Sequence, residues 1–449
     1  MNTLQAEDSA QKEKRVACTL AFVLAGFACS LVLAAALTTP FGAHPDESFH
    51  ALTAGFYKTC WLPPAANDPR VIPFLHPDYG RSYLLVTPPK LVYLLAAKFA
   101  RVIEGAAVDF NMGLRLFNVA LFVILCAVVL HRARDGMGVL FLMLTPQLWY
   151  IFSCFNGDAL AFFLAFLTAV QLGYPDSLVG RYLDPATRRT GPGGGVVLGV
   201  LLGLSVLAKP HYYVVLAFVA AYAAGLVWAV PPCGRAAQLR KWLFVAAIAC
   251  AVVLPVLACD LAINGPDKAR AVSHLREAHA ADGYKPSQMG TPEAFWGQAM
   301  KARGVGLAEV LWERHWLKTS YESFTGVYGN MDLYGPAAGY VAQGCLFLAL
   351  AAAAVFAVRR RRLSRRKLAL LLAGVGFASL VILQSLGRSW MFDFQAQGRY
   401  WLPILPILLL TWLGVMGPGA ARWPCRFAVA AFVLGACSFI VVCLGRLAA

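Results

Sequence analysis

Charged residues are scarce in this 449-residue chain. They make up 14% of it, while 59% of its residues are hydrophobic. An ordinary soluble domain carries roughly 25% charged residues, so this composition excludes a typical water-soluble globule. The apolar residues lie in blocks of about 18 or more, which is long enough for membrane-spanning helices and too continuous for barrel strands. The sequence therefore predicts an all-α, polytopic transmembrane helical bundle.

Several chemical signatures are also missing. The 12 cysteines include no CxxC pair and no Cys/His spacing typical of a metal site, which argues against a disulfide framework or a structural zinc. No Walker A motif, dinucleotide-binding glycine fingerprint or nucleophile elbow occurs in a suitable context. A nucleotide-driven pump is therefore disfavoured.

About eleven spans are predicted, within one integral membrane unit of residues 1–449. Two long segments interrupt them, a first loop of residues 40–111 and a second loop of residues 264–335, and loops of this length are usually functional. Residues 45–61 and 89–103 mix apolar and polar character, which predicts helices lying along the membrane interface. The predicted spans are residues 16–39, 112–130, 138–154, 158–174, 194–208, 212–230, 242–263, 336–358, 368–386, 401–418 and 425–446.

The basic residues orient the chain in the membrane. Arg359 to Arg362 form the core of the strongest basic cluster, and basic loops face the cytoplasm. Counting spans from this cluster predicts a cytoplasmic N-terminus and two extracytoplasmic loops in the cell (inner) membrane. Most of the formal net charge of +16 then falls on the cytoplasmic side. The membrane topology thus accounts for the positive net charge, and no nucleic-acid partner is predicted.

An acidic motif opens the first loop, with Pro45, Asp46 and Glu47 followed by His50. A proline at the first position with acids in the first turn is a common way for a helix to start. Two adjacent carboxylates with a histidine one turn beyond Asp46 also suit a general base or a metal site. The residues alone leave both interpretations open.

Three predicted outer turns and the end of the second loop carry candidates for substrate binding. Each has an ordinary structural explanation as well, because Asn and Asp cap helices, Lys reaches to the membrane surface and Tyr anchors at the interface. A carboxylate such as Asp158 beside apolar helices is costly unless it is paired or functional. The guanidinium of Arg399 suits bidentate binding of a phosphate. The candidates are Asn156, Asp158, Lys209, His211, Tyr328, Gln397, Arg399 and Tyr400.

Four sequence elements occur in order along the chain. They are Pro45-Asp46-Glu47-x-x-His50, Thr145-Pro146-Gln147 leading to Asn156-x-Asp158, Lys209-Pro210, and Gln397-Gly398-Arg399-Tyr400. Together they resemble a bacterial multi-pass membrane family catalogued as domain of unknown function 2142. The resemblance covers roughly residues 40–405.

That family is in turn similar to the type C (GT-C fold) glycosyltransferases, membrane enzymes that use sugars carried on polyprenyl phosphate. The resemblance implies transfer of such a sugar to an extracytoplasmic acceptor, which is an envelope glycan, a lipid or a protein. It implies Asp46 as the catalytic carboxylate, with Glu47 second. Arg399 and Lys209 would then stabilise the departing phosphate.

The proposed transferase site could also contain a divalent metal ion. Asp46, Glu47 and Asp158 could share a divalent cation, since oxygen ligands suit Mg, Mn or Ca.

Two other functions stay open at this point. A transporter or flippase of a lipid-linked or anionic substrate would need charged residues within spans, and Asp260 near the end of the seventh span points that way. A non-enzymatic subunit of an envelope polysaccharide complex is the third. The transferase interpretation predicts that Asp46, Asp158, Lys209 and Arg399 converge on one cavity.

Overall fold

The structure is a computed structural model that describes residues 2–105, 108–132, 137–185, 191–288, 300–417 and 422–447. Within these ranges the chain is nearly all helical, as predicted. A short antiparallel hairpin pairs β1 (Val327–Tyr328) with β2 (Leu333–Tyr334). The helices are α1 (Asn2–Thr38), α2 (Glu47–Thr59), α3 (Leu91–Ile103), α4 (Phe110–Arg132), α5 (Met137–Leu142), α6 (Pro146–Ser153), α7 (Asp158–Gly173), α8 (Leu178–Leu183), α9 (Gly193–Val206), α10 (Tyr213–Ala229), α11 (Pro232–Asn264), α12 (Lys268–His279), α13 (Leu307–Trp312), α14 (Trp316–Gly326), α15 (Ala337–Arg359), α16 (Arg365–Met391), α17 (Ile404–Met416), α18 (Arg422–Ser438) and α19 (Gly445–Leu447).

Within the described ranges, eight helical segments are long and apolar enough to cross a membrane. They coincide with eight of the predicted spans. The other three predicted spans consist of shorter helices. α7 has 16 residues and α9 has 14, while residues 138–154 divide into α5 and α6 at Pro146, which opens a new helix capped by Thr145. The count of about eleven crossings therefore stays a prediction.

The spanning helices differ in what their side chains contact. α4 and α17 are largely buried inside the bundle, whereas α11 and α15 have few buried side chains and leave the rest exposed or partly exposed. Outward-facing apolar side chains are stable in lipid, so these two helices belong to the lipid-facing side of the bundle. Large aromatic side chains such as Trp149, Phe152 and Phe162 fill its centre.

The two long loops lie at the same end of the bundle and contact each other. The backbone N–H of Ala66 donates to Oδ1 of Asn264 at 2.7 Å, and that of Ala281 donates to the carbonyl oxygen of Asp78 at 3.0 Å. Both helices predicted in the first loop form, as α2 and α3, and they pack against each other. We call this end of the bundle the loop face.

The strongest basic cluster lies at the opposite end. α15 begins at Ala337 on the loop face and ends at Arg359, where the cluster begins. A helix of 23 residues is about 35 Å long, close to the thickness of the apolar part of a bilayer. The loops and the arginine cluster are therefore separated by the length of a membrane span.

Candidate functional site

Asp46 and Arg399 form an ion pair on the loop face, although they are 353 positions apart. Nη2 of Arg399 donates a hydrogen bond to Oδ2 of Asp46 at 3.2 Å. Asp46 caps α2 in the left-handed backbone region, with φ of 63°, a conformation that costs free energy for a residue with a side chain. The Asp46 side chain is 49% exposed and that of Arg399 is 11% exposed. A ligand can therefore reach the carboxylate.

The charge and hydrogen-bonding capacity of this pair are both available to a ligand. Burial acts to raise the pKa of Asp46, but neighbouring groups, with the Arg399 guanidinium first among them and Lys209 also contributing, together hold that pKa below its ordinary value. Asp46 is therefore ionised at neutral pH. Among the described residues, Arg399 donates only the hydrogen bond to Asp46, and its buried Nε has no partner. Since a guanidinium has five N–H donors, Arg399 keeps donors for an anion.

A glycine precedes Arg399 because the turn at this point packs closely against α14. Residues 398–401 form a 3₁₀ turn whose first residue packs against α14. The backbone N–H of Gly398 donates to Oγ of Ser323 at 2.9 Å, and a Cβ at Gly398 would clash with the backbone of Phe324. The turn approaches α14 this closely only with glycine, and this approach sets the position of Arg399.

A second charged group surrounds Asp158, the first residue of α7. Nζ of Lys209 donates to Oδ2 of Asp158 at 2.6 Å, and Nε2 of His211 lies 3.2 Å from Oδ1. Asp158 is buried with its side chain 1% exposed, while Lys209 remains 16% exposed. The charges of Arg399 and Lys209 both act on Asp158, so the two ion pairs form one electrostatic cluster. Asp46, Asp158, Lys209 and Arg399 therefore lie in one cluster. Of the four, only Lys209 lines the cavity beside it, so their convergence on one cavity stays a prediction.

A small cavity of about 30 Å³ adjoins this cluster. His50 forms part of its wall, with Nδ1 lying 2.8 Å from the hydroxyl of Tyr93 and its ring stacked on Tyr83. Burial lowers the pKa of His50 to about 3, so its imidazole is neutral at physiological pH. The lining residues are His50, Tyr83, Lys90, Tyr93, Gly157, Ala208 and Lys209.

Glu47 is bound in a different way from its neighbour Asp46. Its side chain is fully buried, and it accepts hydrogen bonds from Nε and Nη2 of Arg115, both at 2.7 Å. The backbone N–H groups of Gly42 and Phe155 donate to the same carboxylate. The remaining donors of Arg115 bind carbonyl oxygens at the end of α1, namely those of Ala36, Thr39 and Pro40.

The sequence predicts Glu47 as a second catalytic carboxylate, and its surroundings give it a structural contact instead. Every oxygen of the carboxylate is occupied, and no part of it is exposed to a substrate. Glu47 and Arg115 join α1, α2, α4 and the turn before α7. They thereby hold the segment that carries Asp46.

The other candidate residues have different surroundings: one caps a helix, one is buried in the core, and two lie next to the charged cluster. Oδ1 of Asn156 accepts from the backbone N–H groups of Asp158 and Ala159, so Asn156 caps α7 as its structural interpretation predicts. Tyr328 is fully buried beside Tyr150, away from the charged cluster. The ring of Tyr400 lies between Arg388, Arg399 and His211. Gln397 precedes Gly398 and has a buried Oε1 without a described partner.

The three carboxylates predicted to share a cation do not form one site. Asp46 pairs with Arg399, Glu47 with Arg115 and Asp158 with Lys209, so each already has a separate cationic partner. Across the part of the chain that the structure describes, no group of three His, Cys, Asp or Glu side chains is arranged to hold a metal ion. The predicted shared cation site is therefore not assembled by this fold.

Several residues at the site are not among the candidates predicted from the sequence, and Arg115 and Lys90 are two charged examples. Arg115 lies inside the predicted span 112–130, and a charge within an apolar helix is itself a sign of a partner or a function. Lys90 follows two prolines and begins α3, where a lysine reaching toward the membrane surface is the ordinary explanation. Only the packing of α3 against the turn at Lys209 shows that Lys90 faces the cluster.

The fold and the site define a multi-pass helical membrane protein that carries a cluster of ionised side chains at one end. The family model for domain of unknown function 2142, described as a predicted membrane protein, matches residues 89–408. The chain belongs to this family. The searches of curated proteins and of solved structures found no match to the chain.

Proposed function

We propose that this protein is a membrane glycosyltransferase of the GT-C class, which moves a sugar from a polyprenyl-phosphate donor to an extracytoplasmic acceptor. One observation carries the proposal: an accessible, ionised Asp46 lies beside Arg399, whose remaining donors are free among the described residues. A carboxylate to take a proton and a cation to take a phosphate are the two groups that this reaction needs.

Binding of the donor sets up the first step. The phosphate accepts hydrogen bonds from the unoccupied Nη positions of Arg399, with Lys209 as a further positive charge. Sharing Arg399 with a phosphate weakens its hold on Asp46, so the pKa of Asp46 rises toward its ordinary value. The donor therefore makes Asp46 a better base when the sugar is in place.

The chemical step is a substitution at the anomeric carbon of the sugar. The acceptor hydroxyl oxygen forms a bond to that carbon as the bond between the carbon and the phosphate oxygen breaks. Asp46 receives the hydroxyl proton, and the polyprenyl phosphate leaves with the electron pair. Arg399 and Lys209 stabilise the charge that develops on it. The phosphate ester is already activated, so no nucleotide is consumed.

The layout of the chain supports the location of this reaction. The loop face lies a span length from the arginine cluster, which the positive-inside rule assigns to the cytoplasm. The proposed reaction therefore occurs on the extracytoplasmic side of the cell membrane, with the N-terminus in the cytoplasm. The loop 264–335, which contacts the first loop, provides the acceptor side.

The transporter alternative rests on Asp260, and the contacts of this residue have a structural explanation. Nζ of Lys268 donates to Oδ1 and Oδ2 of Asp260 at 2.7 and 2.9 Å, and Thr87 and Asn264 also donate to it. This group ties the end of α11 to the first loop. It gives no specific support for a substrate path through the bundle.

A deletion strain tests the proposal and identifies the sugar in the same experiment. Lipid-linked sugars and envelope glycans are compared by mass spectrometry in strains that express the wild type, Asp46→Asn or the surface control Arg70→Ala. We expect one polyprenyl-phosphate sugar to accumulate, and its sugar to be absent from the envelope, in the deletion and Asp46→Asn strains. Arg70→Ala restores the wild-type profile. Identical lipid and glycan profiles in all strains would overturn the proposal.

A further inference from the structure

Lys90 is a cation beside the charged cluster. Among the described residues its ammonium group makes no hydrogen bond and no ion pair, and it lies 5.5 Å from the centre of the Tyr83 ring. The side chain is half-buried where α3 begins. Burial, with Lys209 nearby, lowers the pKa of Lys90 to about 8, which shows that its positive charge is poorly compensated. A half-buried cation of this kind suits an anion from outside the chain.

Lys90 and Lys209 line the same cavity. With a volume of about 30 Å³ the cavity has room for one or two water-sized atoms, such as phosphoryl oxygens, and is too small for a whole phosphate group. His50 and Tyr93 complete its polar wall. Arg399 does not line this cavity, but the charge of Asp158 acts on both Arg399 and Lys90. The cluster therefore offers two positions for anionic groups, one at Arg399 and one at Lys90.

The balance of charge indicates how much negative charge the ligand carries. Lys90, Lys209, Arg388 and Arg399 act on the cluster, against the carboxylates of Asp46 and Asp158. The cations exceed the carboxylates by two. A phosphodiester supplies one negative charge, whereas a diphosphate diester supplies two and spreads them over two phosphorus atoms. The second ligand matches both the excess charge and the two positions.

We propose that Lys90, with Lys209, binds a second phosphate group next to Arg399, and that the ligand of this site is a lipid-linked diphosphate. Lys209 directly precedes the segment Pro210–Ala229 and Arg399 lies in the segment Gly398–Met416, both of which are able to cross a membrane. The chain of a lipid diphosphate can therefore remain in the bilayer while its head group binds. This inference rests on the proposed function for the role of Arg399. It replaces the monophosphate carrier proposed there with a diphosphate carrier, so that the leaving group is a polyprenyl diphosphate.

Calorimetry on the detergent-purified full chain tests the second position with two probes, inorganic phosphate and inorganic pyrophosphate. In the Lys90→Gln variant we expect pyrophosphate to bind about tenfold more weakly than in the wild type, while phosphate affinity changes less than about twofold. Lys90→Arg keeps the charge and retains pyrophosphate binding. Lys285→Gln, which removes an equal charge from a partly exposed lysine paired with Asp282, behaves as the wild type. Unchanged pyrophosphate binding in Lys90→Gln would overturn the inference.

Competition distinguishes a lipid from a soluble source of the diphosphate. Farnesyl diphosphate is expected to displace pyrophosphate at a lower concentration than uridine diphosphate does, and the reverse order would overturn the lipid assignment. These binding results are independent of the strain experiment. A Lys90-dependent preference for pyrophosphate supports the second phosphate position even if glycans are unchanged. Its absence alongside an altered glycan profile overturns the diphosphate inference and leaves a monophosphate transferase.

Discussion

Asp46 and Glu47 are adjacent in the chain, and each pairs with an arginine. The two pairs differ in burial and in the number of arginine donors that are already used. Glu47 is fully buried and all five donors of Arg115 are used. Asp46 is half-exposed, and Arg399 donates one hydrogen bond among the described residues.

The comparison teaches how a site is held in place without being blocked. The Glu47–Arg115 pair has no donor or acceptor left for a ligand. Removing one partner would leave the other as an uncompensated buried charge, so this pair suits a structural role. An unsaturated, accessible pair is worth little to stability and retains its donors for chemistry. The same two residue types therefore serve different ends according to burial and the number of donors already used.

The largest expected effect comes from making the same chemical change at both carboxylates. Glu47→Gln leaves the buried Arg115 without its counter-charge, so we expect the free energy of unfolding to fall by about 3–5 kcal/mol. Asp46→Asn should change it by less than about 1 kcal/mol, because that pair is partly exposed. Unfolding of the purified variants in detergent measures both. Equal destabilisation by the two variants would contradict the assignment of a structural role to Glu47 and a functional role to Asp46.

Gly398→Ala tests whether packing alone positions Arg399. The new Cβ would clash with the backbone of Phe324, so the turn must move away from α14. We expect a loss of about 1–3 kcal/mol in stability, as for other overpacked positions, together with a loss of phosphate affinity. Unfolding measurements and phosphate titration check the two parts. Ser205→Ala, a change on α9 outside the site, serves as the control for phosphate binding.

Asp158→Asn asks whether Asp158 acts through Lys209. Without the carboxylate the ammonium group of Lys209 is no longer held at 2.6 Å, so the donor should bind more weakly. Once the donor is identified, we expect its KM to rise about tenfold with kcat within about threefold, the pattern of a positioning residue. Asp158→Glu should recover part of the affinity. A fall in kcat at constant KM would instead place Asp158 in the chemical step.

The smallest expected effect is a pH dependence of pyrophosphate binding. The pKa of Lys90 is lowered to about 8 by burial, so its charge is present below pH 8 and is lost as pH rises through that value. Among its neighbours, the pKa of His50 is lowered to about 3 and that of Tyr83 is raised to about 12, both by burial, and Lys209, Asp158 and Arg388 supply the surrounding charge.

Pyrophosphate affinity in the wild type should therefore fall between about pH 7 and pH 9 by a few-fold, measured by calorimetry. Lys90→Arg, which stays charged, should show a flatter profile over the same range. A wild-type profile as flat as that of Lys90→Arg would show that the charge of Lys90 does not contribute to anion binding.

Much of the site is predictable because its residues lie at the ends of apolar helices. Asp46, Asp158, Lys209 and Arg399 are each charges that are costly near lipid, and the predicted orientation places them at one end of the chain's crossings. The sequence could not separate Asp46 from Glu47, because both are acids in the same helical turn. Tyr328 is predicted to bind substrate and is instead buried in the core. The sequence of a loop segment does not show whether an aromatic residue lines a site or fills the core.

Composition and the spacing of apolar blocks by themselves determined that this protein is an all-helical membrane protein with two long loops. Only helices or closed barrels span lipid, and apolar blocks this continuous are not barrel strands. Only the tertiary structure decided which carboxylate is accessible and that Lys90 makes no hydrogen bond or ion pair with the described residues. Those properties depend on the side chains that approach from distant parts of the chain. Arg115 reaches Glu47 over 68 positions and Arg399 reaches Asp46 over 353, and the difference between the two contacts separates a structural joint from a candidate site.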